Sequence, residues 1–119
     1  MTKSYDDLMA AFAGESQANR KYLAFAKVAD EEGFPQVAKL FRAAAAAETV
    51  HAHNHLRAAG EVKSTADNLK AAVAGENYEH TEMYPAFIKD AEAEGDKKAL
   101  RSFNFANEVE KIHEELYKA

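Results

Sequence analysis

Two short steps, Glu48-Thr-Val-His51 and Glu110-Lys-Ile-His113, recur 62 residues apart. Each follows an isolated glutamate upstream: Glu15 in Phe12-Ala-Gly-Glu15-Ser and Glu76 in Val73-Ala-Gly-Glu76-Asn. Residues three apart share one face of a helix, so a carboxylate and an imidazole at that spacing can grip one cation together. Two Glu-x-x-His steps plus two lone glutamates are the ligand set of a di-iron or di-manganese carboxylate site inside a four-helix bundle. These residues require an all-α chain whose helices turn acidic groups inward.

The rest of the chain reads as four helices. The first, over 5–32, carries Leu8, Phe12, Glu15, Asn19, Tyr22, Ala26 and Ala29 at alternating steps of four and three. Gly33 stops it, and Pro35 opens the second helix, over 35–59, with Val37, Phe41, Ala44, Glu48, His51 and His55 on one stripe. The run Ala43–Ala47 suits close helix packing. Ser64-Thr-Ala-Asp67 reads as a capping box for the third helix, which carries Leu69, Val73, Glu76, Met83 and Phe87 and stops at Gly95. The fourth, over 96–117, has Ala99, Phe103, Ala106, Glu110, His113 and Tyr117 on its face.

The halves are a repeat: one domain over 1–119, built from a helix pair 5–59 and a second pair 65–117. Ala13-Gly14-Glu15 matches Ala74-Gly75-Glu76 at an offset of 61, whereas Phe25, Gly33, Glu48 and His51 match Phe87, Gly95, Glu110 and His113 at 62. One extra residue therefore sits in the third helix between Glu76 and Phe87. An extra residue in a helix is absorbed as a π-bulge, a feature common at functional sites. Pro85 lies in this stretch, and a bulge would accommodate its missing N–H.

Glu15, Glu48, Glu76 and Glu110 all fall on apolar stripes. Bare carboxylates in one core are costly unless protonated or paired with cations. Two divalent ions supply that compensation, and oxygen and imidazole donors without thiolates suit iron or manganese, with zinc able to intrude. Glu79 adds a second carboxylate three positions after Glu76, where the first half has Ala18. Tyr22 and Tyr84 follow Glu15 and Glu76 by seven and eight residues and can face the same centre. His55 can face inward, while His53 and His80 fit structural or solvated roles. The chain has no cysteine, which excludes disulfides, thiolate-bound zinc, iron–sulfur clusters and rubredoxin-type iron. A net charge of −5 without a basic cluster argues against nucleic acid. No stretch reads as a signal peptide or membrane span, which leads us to expect a cytoplasmic protein.

The chain resembles the rubrerythrin family of ferritin-like di-iron peroxidases. The resemblance rests on Gly14-Glu15-Ser-Gln-Ala-Asn-Arg-Lys-Tyr22, Ala29-Asp-Glu-Glu-Gly33-Phe, Glu48-Thr-Val-His51, Gly75-Glu76-Asn-Tyr-Glu79-His-Thr-Glu-Met-Tyr84-Pro-Ala-Phe87 and Glu110-Lys-Ile-His113. It implies metal ligands Glu15, Glu48, His51, Glu76, Glu79, Glu110 and His113, with Tyr22 and Tyr84 beside them. It also implies that one iron shifts between His51 and Glu79 as its oxidation state changes. The sequence departs from most family members in lacking the four cysteines of a rubredoxin domain, as in the short sulerythrin-like or erythrin-like forms. Electrons would then come from a separate rubredoxin or reductase.

The expected activity is reduction of hydrogen peroxide to water. The alternatives are an O₂-using ferroxidase or oxidase, or an iron-buffering protein without turnover. Ferritin-like bundles run their second and third helices parallel, which demands a lengthwise crossover. A second helix of about 25 residues spans roughly 37 Å. The link from Gly60 to Ser64 reaches only about 18 Å. These lengths lead us to expect a domain-swapped homodimer, each bundle taking one helix pair from each chain.

Overall fold

The computed structural model describes residues 2–119, and among these it is all helix and connection, with no strand. In chain order come α1 (Lys3–Glu31), α2 (Pro35–Ala58), α3 (Thr65–Tyr78), a π-helical turn (Glu79–Met83), α4 (Tyr84–Glu94) and α5 (Lys97–Lys118). The π turn runs without a break from α3 into α4, so these make one long helix and the four expected helices are present. The chain divides into two compact units, one ending at Val62 and the other spanning Lys63–Ala119.

The two units are built from the same local signals. Thr2 caps α1 by accepting from Tyr5 N at 3.1 Å, and Ser64 caps α3 by accepting from Asp67 N at 3.1 Å. Such side-chain caps satisfy amides that have no partner inside the helix. At the far ends, Gly33 and Gly95 take φ of +85° and +69°. That left-handed turn lets Phe34 N reach Ala29 O at 2.8 Å and Asp96 N reach Ala91 O at 3.0 Å, the same closing bond in both halves. From capping residue to glycine the two long helices cover the same 31 steps, Thr2 to Gly33 and Ser64 to Gly95. The third helix is therefore no longer than the first. It has one residue fewer before Glu76 and one more after it, and the π turn takes up the surplus.

The location of that turn is legible in the chain. Pro85 follows it at the start of α4. In a regular helix its ring would crowd the carbonyl four residues back, while a widened turn relieves that clash.

Connections of three residues or fewer fold each pair of helices into an antiparallel hairpin. In the first unit α2 presents an alanine seam, Ala38, Ala45 and Ala52, spaced seven apart and buried. It faces the buried Ala26, Ala29 and Asn19 of α1. Asn19 Nδ2 donates to Ala45 O at 2.8 Å and to Thr49 Oγ1 at 2.7 Å. The expected close packing of the Ala43–Ala47 run is thus centred on Ala45. The second unit buries only Ala91 and Glu114 to the same degree.

Matching aromatic trios pin both hairpins. Phe25 and Phe41 stand 5.5 Å apart between ring centres, Phe87 and Phe103 5.4 Å, with Tyr22 and Tyr84 as third members. Among the described residues no large side chain is fully buried, and Leu40, Phe105 and Leu116 are about two-thirds exposed.

Candidate metal centre

Each hairpin gathers one carboxylate–imidazole cluster. In the first, Glu15 projects from α1 and Glu48 and His51 from one face of α2. His51 Nδ1 lies 3.2 Å from Glu15 Oε2 and 3.7 Å from Glu48 Oε2. In the second, Glu76 projects from α3 and Glu110 and His113 from α5. His113 Nδ1 lies 3.3 Å from Glu76 Oε1 and 4.0 Å from Glu110 Oε1. In each trio the donor atoms lie within 4.8 Å of one another, close enough to share one ion. The i, i+3 spacing of the Glu-x-x-His steps thus lets one lone glutamate from the facing helix complete each trio.

The charges in these trios are unbalanced. Two carboxylates face one imidazole, which carries at most a single positive charge. Glu76 Oε2 is buried without a hydrogen-bond partner. A buried acceptor left bare costs free energy that a cation would remove. Glu79 opens the π turn and is half-buried. Burial raises its pKa above the usual carboxylate value, the charge of Glu76 raises it further, and His113 works the other way. Glu79 is therefore electrostatically part of the second cluster although it is not one of the three converging donors. The donor set, oxygen and imidazole without sulfur, fits iron or manganese.

Tyr22 and Tyr84 pack in the aromatic trios, two helical turns along from Glu15 and Glu76. His53 is exposed and His55 half-buried, and neither joins a cluster. His80 has a partner that the sequence reading missed: its Nε2 lies 3.0 Å from Glu114 Oε1. Glu114 also accepts from Lys118 Nζ at 2.6 Å. Hydrogen bonds from Lys118, Asn77 and His80 hold the Glu114 carboxyl down at about 2. The Glu114–Lys118 spacing was the available signal, as was the substitution across the repeat of Asn19 by His80 and Ala52 by Glu114.

Helix hairpins that set a Glu-x-x-His step against a facing glutamate are the building unit of the ferritin-like carboxylate metal proteins. The family model described as Rubrerythrin matches residues 6–119, and the chain belongs to the rubrerythrin family. Members of that family carry a di-iron centre.

The chain is 42% identical to the rubrerythrin of Porphyromonas gingivalis over 99% of its own length and 66% of that protein. It is 40% identical to the nigerythrin of Nitratidesulfovibrio vulgaris over 96% of its length and 63% of that protein. It therefore spans just under two thirds of these curated relatives. Among solved structures, the fully reduced, all-ferrous state of nigerythrin aligns over 98% of this chain and 65% of that one, at 39% identity and a TM-score of 0.49. No helix among the described residues is long and apolar enough to cross a membrane.

Proposed function

We propose that this protein is a di-iron peroxidase that reduces hydrogen peroxide to water with electrons from a donor outside these 119 residues. The observation that carries the reading is the repeated trio, Glu15–Glu48–His51 and Glu76–Glu110–His113, each with more negative charge than its own hairpin balances. Glu79 is the seventh ligand, and manganese or zinc are competing occupants. Two ferrous ions held by these residues would supply one electron each, which with two protons turn H₂O₂ into two waters.

The side chains have separate tasks. The six carboxylate and imidazole groups of the trios hold the cations and fix their spacing. Glu79, an anionic donor, favours the more highly charged state, and the neutral imidazole of His51 favours the less charged one. Tyr22 and Tyr84 are the proposed proton donors beside the centre. The chain has no cysteine to hold a rubredoxin-type iron, so a rubredoxin or reductase outside this sequence is the proposed electron source.

The active assembly we propose is a swapped homodimer. Each hairpin leaves large apolar side chains such as Leu40 and Phe105 exposed, as a unit awaiting a second helix pair would. Light scattering on the iron-loaded protein tests this, and a compact monomer would defeat it.

Anaerobic iron loading followed by separate challenges with peroxide and O₂ tests the activity, with Glu79→Ala beside the parent. Two irons bound per site pair and oxidation faster by peroxide than by O₂ are expected. Equal rates would favour the oxidase reading, and a protein that takes up no iron would end both.

A further inference from the structure

The two hairpins handle one equivalent position differently. In the first, Asn19 satisfies itself on the α2 backbone at Ala45 O and on Thr49. At the offset that relates Glu15 to Glu76, its counterpart is His80. His80 turns to Glu114, whose own counterpart is Ala52. A neutral amide contact has been replaced by an imidazole–carboxylate pair, with side chains only 16% and 9% exposed.

Its location gives the pair a consequence. His80 is the second residue of the π turn and directly follows Glu79. Glu114 directly follows His113 on α5. The contact therefore ties the backbone that carries one proposed ligand to the backbone that carries another. A π turn has wider, poorer hydrogen bonding than an α-helix, so contacts outside the turn must hold it in place. Thr81 Oγ1 bonds back to Asn77 O at 2.7 Å, but that bond stays within the same helix and cannot fix the turn against α5.

We propose that His80 and Glu114 are a positioning pair that clamps the π turn to α5 and so fixes Glu79, which opens the turn, relative to His113 on α5. Its consequence for the metal rests on the di-iron reading, whereas the clamp itself does not. Lys118 closes the far side of Glu114 and limits the positions the carboxylate can take. Loss of the imidazole would free the turn to shift its surplus residue along the helix. Glu79 would then rotate away while both trios kept their own residues.

Hydrogen exchange on the metal-free protein reads the clamp directly. In His80→Ala, amides of residues 79–83 should exchange about tenfold faster or more, with α1 and α2 unchanged. His80→Gln, which can still donate to Glu114, should restore protection. Iron titration of the same variants should show His80→Ala weakened about 10- to 100-fold, with His80→Gln near the parent. The Mössbauer signature of the ferric ions should change in His80→Ala alone.

Unchanged exchange at 79–83 in a folded His80→Ala protein would overturn the clamp. Should His80→Ala not fold, His80→Gln decides: local protection like the parent's supports the pair, and loosening spread evenly over both hairpins overturns it. A parent that binds no iron would sink the metal reading, while the exchange result would still judge the pair.

Discussion

The first and second hairpins share their caps, their glycine stops, their aromatic trios and their Glu–Glu–His clusters, yet their interiors differ. The first is drawn together by small residues: the alanine seam of α2 against Ala26, Ala29 and the bonded Asn19. The second gives up that close packing for a widened turn, a half-buried Glu79 and the His80–Glu114 pair. Counterparts Ala18, Asn19 and Ala52 have become Glu79, His80 and Glu114. The shared features set the fold, and three of the differences, Glu79, His80 and Glu114, lie beside the second cluster. Of two matching hairpins, one is regular and the other departs from local helix rules, as functional sites commonly do.

The largest expected effect would come from removing a shared element. Glu15→Ala and Glu76→Ala should each weaken iron binding about 100-fold or more, because loss of a supporting partner alone costs 10- to 100-fold. Anaerobic titration with metal analysis measures this. A variant in one hairpin that leaves binding intact would break the equivalence of the two trios.

The next contrast is confined to the second hairpin. Glu79→Gln should slow peroxide-driven oxidation of the iron-loaded protein by about tenfold or more. Stopped-flow absorbance would follow it. The same change should stabilise the metal-free protein at neutral pH. With its pKa raised in the fold, Glu79 favours folding most when protonated, and that contribution is lost as pH rises through the folded value. Urea melts at pH 7 of parent and variant would show the sign.

In the first hairpin, Asn19→Ala removes a buried donor from Ala45 O and Thr49 and should cost about 1–3 kcal/mol in urea unfolding. Gly33→Ala and Gly95→Ala should cost about 1 kcal/mol each, since both glycines hold the same left-handed turn. Unequal losses would show that the matched caps are not energetically matched.

The last contrast is read in acid, on metal-free protein. Glu114 is held at about 2, below its ordinary 4.5. Its contribution to stability is complete above 4.5 and disappears as pH falls towards 2. Melting curves through that window should converge for the parent and Glu114→Gln. A constant gap between them would show that the ion pair is not the cause.

Much of this is legible in the chain itself. The Glu-x-x-His steps, the lone glutamates and the glycine stops lie on local periodicities, and a helix translates such spacing directly into a shared face. The π turn was foreseeable because the 61 and 62 offsets disagree and a proline lies nearby. The caps changed its meaning, since Thr2 to Gly33 matches Ser64 to Gly95 in length, making the surplus a shift of register within an equal helix.

The sequence by itself determined the four helices, their hairpin pairing and the six trio residues, because these depend on steps of three, four or seven along one chain and on connections of three residues or fewer. Only the tertiary structure decided that His80 meets Glu114 34 positions away, that Glu76 Oε2 is left bare, and that Glu79 is affected by both Glu76 and His113. Those depend on how two helices rotate against each other across a widened turn. A rotation of that kind is set by packing, and no periodicity in the chain encodes it.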